Sequence, residues 1–347
     1  MQQVTYNKAI VWWLLSGVLL IVVMVVIGGI TRLTGSGLSI VEWNVISGTL
    51  PPLNEAAWMV AFEKYKQFPE YQKLNYSMTL DGFKSIFWWE YLHRLLGRLI
   101  GLVFIVPFLY FWFTGQFAGW LKRRMLLILL LGMAQGLMGW LMVKSGLVEN
   151  PHVSHYRLAA HLCLALALIG TLLWTIADLA LPARNYSLPG TIKRYAGLVF
   201  FIVLLQIVLG AFVAGLKAGF SYNTYPLMNG ELLPSHLQGH LGWGNFLENG
   251  VFVQFLHRWV AVVVLLVVLG AWLTARKSAY PDVRTIAGLL LLTTLVQVVL
   301  GIGTLLLAVP VIWGVLHQAM AVVLFGLSVL LLHQATSRPT IGTPAKL

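Results

Sequence analysis

The sequence predicts an all-α integral membrane protein with eight transmembrane helices arranged as two pseudo-twofold-related four-helix bundles, and three observations lead there. Of the 347 residues, 59% are hydrophobic and only 10% charged, against roughly 25% charged in a typical soluble domain. Eight apolar runs are each long enough for a helix to cross about 30 Å of hydrocarbon, which takes roughly 20 residues. The chain also repeats itself, since residues 28–52 align without a gap on residues 210–234.

The apolar runs cover approximately 10–30, 86–113, 124–143, 156–178, 195–215, 251–273, 286–308 and 311–333. The net charge of +12, from 23 Lys and Arg against 11 Asp and Glu, lies mostly in short links between them. Lys122, Arg123 and Arg124 follow the second run, Arg184, Lys193 and Arg194 the fourth, and Arg276, Lys277 and Arg284 the sixth. By the positive-inside rule these links and both termini are cytoplasmic, and the long connections 31–85 and 216–250 face outward. No basic stripe interleaved with aromatics accompanies the charge, so it marks topology and not a nucleic-acid surface. Trp12, Trp13, Trp88, Trp89, Trp140, Trp243 and Trp313 stand near the ends of runs, as aromatic belts do. The single cysteine, Cys163, excludes an intrachain disulfide and a cysteine-based metal site. The N-terminus shows neither a cleavage site after the first run nor a transit segment, so a bacterial plasma-membrane (inner-membrane) protein retaining its first helix is expected.

The repeat pairs Gly28 with Gly210, Gly37 with Gly219, Ser39 with Ser221, Gly48 with Gly230, Leu50 with Leu232 and Pro52 with Pro234, and sets Trp43 opposite Tyr225. Farther on, Leu92-His93-Arg94 matches Leu256-His257-Arg258, Gln135 and Gly139 match Gln297 and Gly301, and His161 matches His317. Each half carries an even number of helices, so both halves have the same orientation in the membrane and are related about the membrane normal. The division expected is an N-terminal bundle, 1–183, and a C-terminal bundle, 184–347.

His93, His161, His257 and His317 fall on the second, fourth, sixth and eighth runs, near the outer start of each. Five to seven residues at about 1.5 Å each put all four at a common depth of roughly 10 Å. Two imidazoles per bundle at one level is what a porphyrin iron needs, one from each face. Gly97, Ala165, Ala261 and Ala321, four residues on and therefore on the same helix face, leave room for a flat macrocycle. Close helix packing also favours small residues, and membrane histidines often only bridge helices. Arg94 and Arg258, with Arg98 and Arg157 at the edges of apolar runs, suit haem propionates; snorkelling to headgroups is the alternative. The halves differ at Glu90, three residues before His93, where the second half has Gln254. A carboxylate directed at one pocket only marks the first half as reactive and the second as an electron-transfer site, a structural pair with Arg94 or Arg98 being the plainer reading.

His152, His155, His236, His240 and His333 fit loop or interfacial roles, although His236 and His240 have helical i,i+4 spacing. Gly301-Ile-Gly lies inside a membrane helix with no preceding strand, so no dinucleotide site is supported. Two other functions share some of these features. A di-haem electron carrier of cytochrome b type needs the four histidines without the carboxylate, and a transporter needs the repeat without haem.

The chain resembles the haem A synthase family over nearly its whole length, through Gly28-Gly-Ile-Thr-Arg-Leu-Thr-Gly-Ser-Gly-Leu-Ser, Glu90-Tyr-Leu-His-Arg, His155-Tyr-Arg-Leu-Ala-Ala-His161 and the histidines at 257 and 317. The resemblance implies oxidation of the C8 methyl of haem O to the formyl of haem A, with water as the final oxygen source. It implies that His93 and His161 flank the substrate haem, that His257 and His317 ligate haem b, and that Glu90 is the functional carboxylate. The product serves cytochrome oxidase assembly. Some members carry cysteine pairs in the outer loops; this chain has none there and resembles the cysteine-free branch with a long first outer loop. Candidate partners are haem O itself, a docked haem O synthase and a second copy of the chain as a homo-oligomer.

Overall fold

A computed structural model describes residues 7–43, 47–117, 119–181, 188–237 and 246–336. Eight helices are long and apolar enough to cross a membrane: α1 Lys8–Leu33, α4 Leu80–Phe113, α5 Gly119–Gly146, α6 His155–Ala180, α7 Gly190–Gly215, α8 Gly250–Ala275, α9 Pro281–Leu306 and α10 Val311–Thr336. The chain is thus a multi-pass membrane protein. Two short helices, α2 Glu55–Lys66 and α3 Pro69–Lys73, lie in the connection between α1 and α4. In the first half α1 packs on α4 and α5 on α6; in the second α7 packs on α8 and α8 on α9, which also packs on α10. α1, α6, α7 and α10 carry the contacts between the halves. Gln318 of α10 donates across that seam to the Val25 carbonyl of α1 at 2.7 Å.

The helices outrun the apolar runs that reveal them, most of all α4, which begins at Leu80 where hydropathy suggests 86. Hydropathy marks where lipid begins; a helix begins where its amides find a cap. Thr79 accepts from the Gly82 N–H, and Asp81 sits in the first turn. The extra turns are held by an aromatic cluster in which Trp58, Phe62 and Tyr65 of α2 bury against Phe83, Phe87 and Tyr91 of α4. Each such ring removes about 150–250 Å² from water. The described part of the connection between α1 and α4 therefore folds into a cap on this end of α4. Counted from the helix starts, His93 stands thirteen residues into α4 and His161, His257 and His317 six or seven into theirs; the difference is the added turns of α4 that the cluster holds.

Trp13 corrects one expectation. It is buried in the core of the first half and not part of a belt. Pro107, inside α4, has no N–H to give the Val103 carbonyl one turn earlier. The Trp13 indole N–H donates to that carbonyl at 2.9 Å, which satisfies a group that lipid would leave bare. Trp12, 70% exposed, keeps the belt role. Trp243 and His240 lie outside the described residues, as does the side chain of His236.

Candidate haem-binding and reactive site

All four predicted histidines line one continuous cavity of about 1330 Å³ that runs between the halves. That exceeds the roughly 300–1,000 Å³ common for a single small-molecule ligand. Each imidazole rests against a glycine of a neighbouring helix. A Cβ built on Gly28 of α1 would meet the His93 ring at 3.2 Å, one on Gly139 of α5 the His161 ring at 3.1 Å, one on Gly210 of α7 the His257 ring at 3.1 Å, and one on Gly301 of α9 the His317 ring at 2.9 Å. Gly28 and Gly210, like Gly139 and Gly301, are partners in the internal repeat. The repeat therefore preserves the space that lets four histidine-bearing helices approach.

The His257 and His317 ring centres are 6.4 Å apart and their planes are close to perpendicular, at 81°. An iron–nitrogen bond of about 2 Å, with roughly 1 Å more from nitrogen to ring centre on either side, asks for a spacing near 6 Å. The polar atoms around the cavity fit such a group. Nδ1 of His161, His257 and His317 and Oε1 of Gln135, Gln206 and Gln297 are buried with no hydrogen-bond partner among the described residues. A bare buried polar atom costs about 1–3 kcal/mol, and native proteins keep few of them unless a ligand completes the site. No cluster of three or more His, Cys, Asp or Glu side chains suited to a metal ion occurs among the described residues. Paired imidazoles suit an iron already held by a porphyrin, and not a bare ion.

The mouth of each half is closed in a related way. α1 ends at Leu33 and α7 at Gly215, and the chain turns through left-handed residues, Gly35 at φ +65° and Lys217 at φ +51°. The strand of loop that follows is stapled down by the arginine after each histidine. Arg94 donates to the carbonyls of Ile40 (2.6 Å) and Glu42 (2.8 Å), and its guanidinium packs on Trp43. Arg258 donates to the carbonyls of Tyr222 (2.7 Å) and Thr224 (2.7 Å), the matching positions of the repeat. Both arginines line the cavity; Arg258 is held by loop carbonyls, and Arg94 divides its donors between loop carbonyls and Glu90.

Glu90 is 3% exposed and also lines the cavity. Its Oε1 accepts from Arg94 Nη2 (2.6 Å) and Nε (3.0 Å), its Oε2 from the Ser39 hydroxyl (2.7 Å) and the Ile40 N–H (2.8 Å). A carboxylate offers about four lone-pair sites, and all are taken. Gln254 donates to the Tyr222 carbonyl at 3.0 Å and leaves its own Oε1 bare. The first site thus holds a charge-neutral Glu–Arg pair, and the second holds Arg258 without a carboxylate.

These features bear directly on kinship. A family model for COX15-CtaA, cytochrome oxidase assembly protein, matches residues 11–329. The chain belongs to this family. The "Heme A synthase" of Parvibaculum lavamentivorans is 46% identical over 94% of both chains, and that of Nitrosospira multiformis is 46% identical over 96% of this chain and 95% of its own. The protein of the same name from Rhodospirillum centenum is 47% identical over 94% of this chain and 88% of its own. In this COX15-CtaA protein the weaker histidines have partners of their own, although His152 also lines the cavity. His155 packs on Tyr156 and Phe212, His152 contacts Asn150, and His333 ties α10 to Asp178 of α6 at 2.8 Å. Arg157 donates to the Leu141 carbonyl.

One cavity-lining acid escaped the sequence reading. Glu70 of α3 is 7% exposed, and the Tyr65 hydroxyl, at 3.2 Å, is the only hydrogen-bond partner of its carboxylate among the described residues. Burial pushes its pKa from the usual 4.5 up to about 7; Tyr65 and Lys217 oppose the rise and nearby Glu90 adds to it. It lies in a polar stretch with no periodic signal, and only the folding of the outer cap buries it.

Proposed function

We propose that the chain is an oxidoreductase that converts the C8 methyl of haem O to the formyl of haem A, with water supplying the oxygen. The setting is the inner membrane of a bacterium, with both termini cytoplasmic and the α2–α3 cap outside. Relatives named "Heme A synthase" across nearly the full chain support this reading. The observation that carries it is the recurrence of one histidine-on-glycine arrangement in both halves with a carboxylate, Glu90, in only one of them.

In this assignment His93 and His161 bracket the substrate haem in residues 1–183, and His257 and His317 hold haem b in residues 184–347. The bound haem supplies a centre that takes up electrons and passes them on. The chain's own groups do the rest. The imidazoles fix the plane and depth of the substrate. Arg94 and Arg258 hold the loops over the two mouths and offer their remaining N–H groups to carboxylates of the ligand. Glu90 presents a fixed negative charge to positive charge developing at the methyl carbon; its role is electrostatic because its four acceptor sites are occupied.

The competing reading, a di-haem electron carrier, draws support from the same Glu90–Arg94 pair seen as purely structural. Extraction and chromatography of the pigments of the purified protein separate the two. Haem O or haem A is expected beside haem b, and Glu90→Gln should keep both pigments while cutting haem A formation by about 10²-fold or more. Haem b alone, with no product, would favour the carrier, and protein lacking a Soret band would remove haem from both readings.

A further inference from the structure

Oxidising a methyl to a formyl group with oxygen from water releases one proton for every electron. The electrons leave for a one-electron acceptor reached through the second half. The protons leave separately, as C–H and O–H bonds break in the first-half cavity, and they need a base. Glu90 is poorly placed to be that base, since Arg94, Ser39 and the Ile40 N–H fill its acceptor sites and an arriving proton would have to displace one of them. Glu70 offers the opposite arrangement. It lines the same cavity from the cap, and its carboxylate accepts a single hydrogen bond among the described residues.

We propose that Glu70 is the proton acceptor of the first-half cavity, taking protons released there onto its carboxylate and passing them to water on the outer side. This rests on the function proposed above. The groups facing Glu70 are few. The Tyr65 hydroxyl of α2 donates to it and itself accepts from Asn75 at 2.8 Å, Glu90 of α4 repels it, and Lys217, beyond the end of α7, attracts it. α2 and α3 belong to the cap outside the apolar spans, so a proton on Glu70 has already left the membrane interior. A buried acid raised to about 7 exchanges protons in both directions near neutral pH, which is what a relay requires.

The experiment uses the full-length, haem-loaded protein in detergent and has two readouts. Infrared difference spectroscopy against pH follows the carboxyl C=O band. Wild type should show a band with a midpoint near pH 7 that is absent from Glu70→Gln, and Tyr65→Phe, by removing the donor that favours the carboxylate, should move the midpoint upward. Haem A formation is the second readout. Its wild-type rate should fall as pH drops through about 7, and Glu70→Gln should be slower by about tenfold or more with that limb lost. Glu70→Asp should restore most of the rate. A band that persists in Glu70→Gln, or a Glu70→Gln enzyme with wild-type rate and pH profile, overturns the relay while leaving the function standing. Wild-type protein that holds haem yet makes no haem A overturns the proposed function, and the relay falls with it.

Discussion

The two halves of the chain hold their histidines alike and surround them differently. In both, an imidazole is pressed against a repeat glycine and an arginine staples the loop at positions 40 and 42 or 222 and 224. In the first half the same loop turns an N–H and a hydroxyl toward a carboxylate; in the second it turns a carbonyl toward an amide. One cation is neutralised and the other is not. Among the described residues, the folded cap with its buried Glu70 also belongs to the first half alone. The comparison teaches that one histidine-on-glycine frame recurs in both halves of a single cavity, while the loop at its mouth meets a carboxylate in the first half and an amide in the second.

The largest effect expected from testing that contrast is His317→Ala. It should empty the second cleft, so that haem b falls to near zero in extracted pigment while haem O binding at the first cleft survives. Loss of both pigments together would show that the clefts are not independent. Next comes Gln254→Glu, which gives the second half the first half's carboxylate four residues before Arg258. One added negative charge beside the second-half histidines should lower the haem b potential, by tens of millivolts at an effective dielectric of about 20, in a redox titration. An unchanged potential would mean that the Glu90/Gln254 difference has no electrostatic consequence. The smallest effect is expected from Gly139→Ala and Gly301→Ala, whose new methyls meet an imidazole at 3.1 and 2.9 Å. Each should cost about 1–2 kcal/mol, a drop of roughly 2–6 °C in thermal midpoint. Gly197→Ala and Gly288→Ala, with nothing within 4 Å, should be neutral or stabilising.

The part of this legible in the sequence is the part that depends on local, additive properties. Eight apolar runs become eight spanning helices because lipid forces every backbone amide to bond within its own segment, so length and hydropathy suffice. The four histidines and the Glu90/Gln254 difference could be read because a repeat exposes what is common and what departs. The glycines were visible as matches, but their use was not. Whether Gly28 serves a turn or an imidazole depends on α4, some 65 positions away.

What the sequence by itself determined is therefore the membrane class, the number of spans, the repeat and the four histidines that line the cavity. Tertiary structure alone decided that Trp13 repairs the carbonyl freed by Pro107, that α4 rises beyond the membrane into an aromatic cap, that Arg94 clamps Glu90 and the loop, and that Glu70 is buried against the cavity. The physical reason is common to all four. Hydropathy is summed along the chain, but a hydrogen bond or a buried charge is a relation between residues far apart in it, such as Ser39 and Glu90, and has no value until folding brings both partners together.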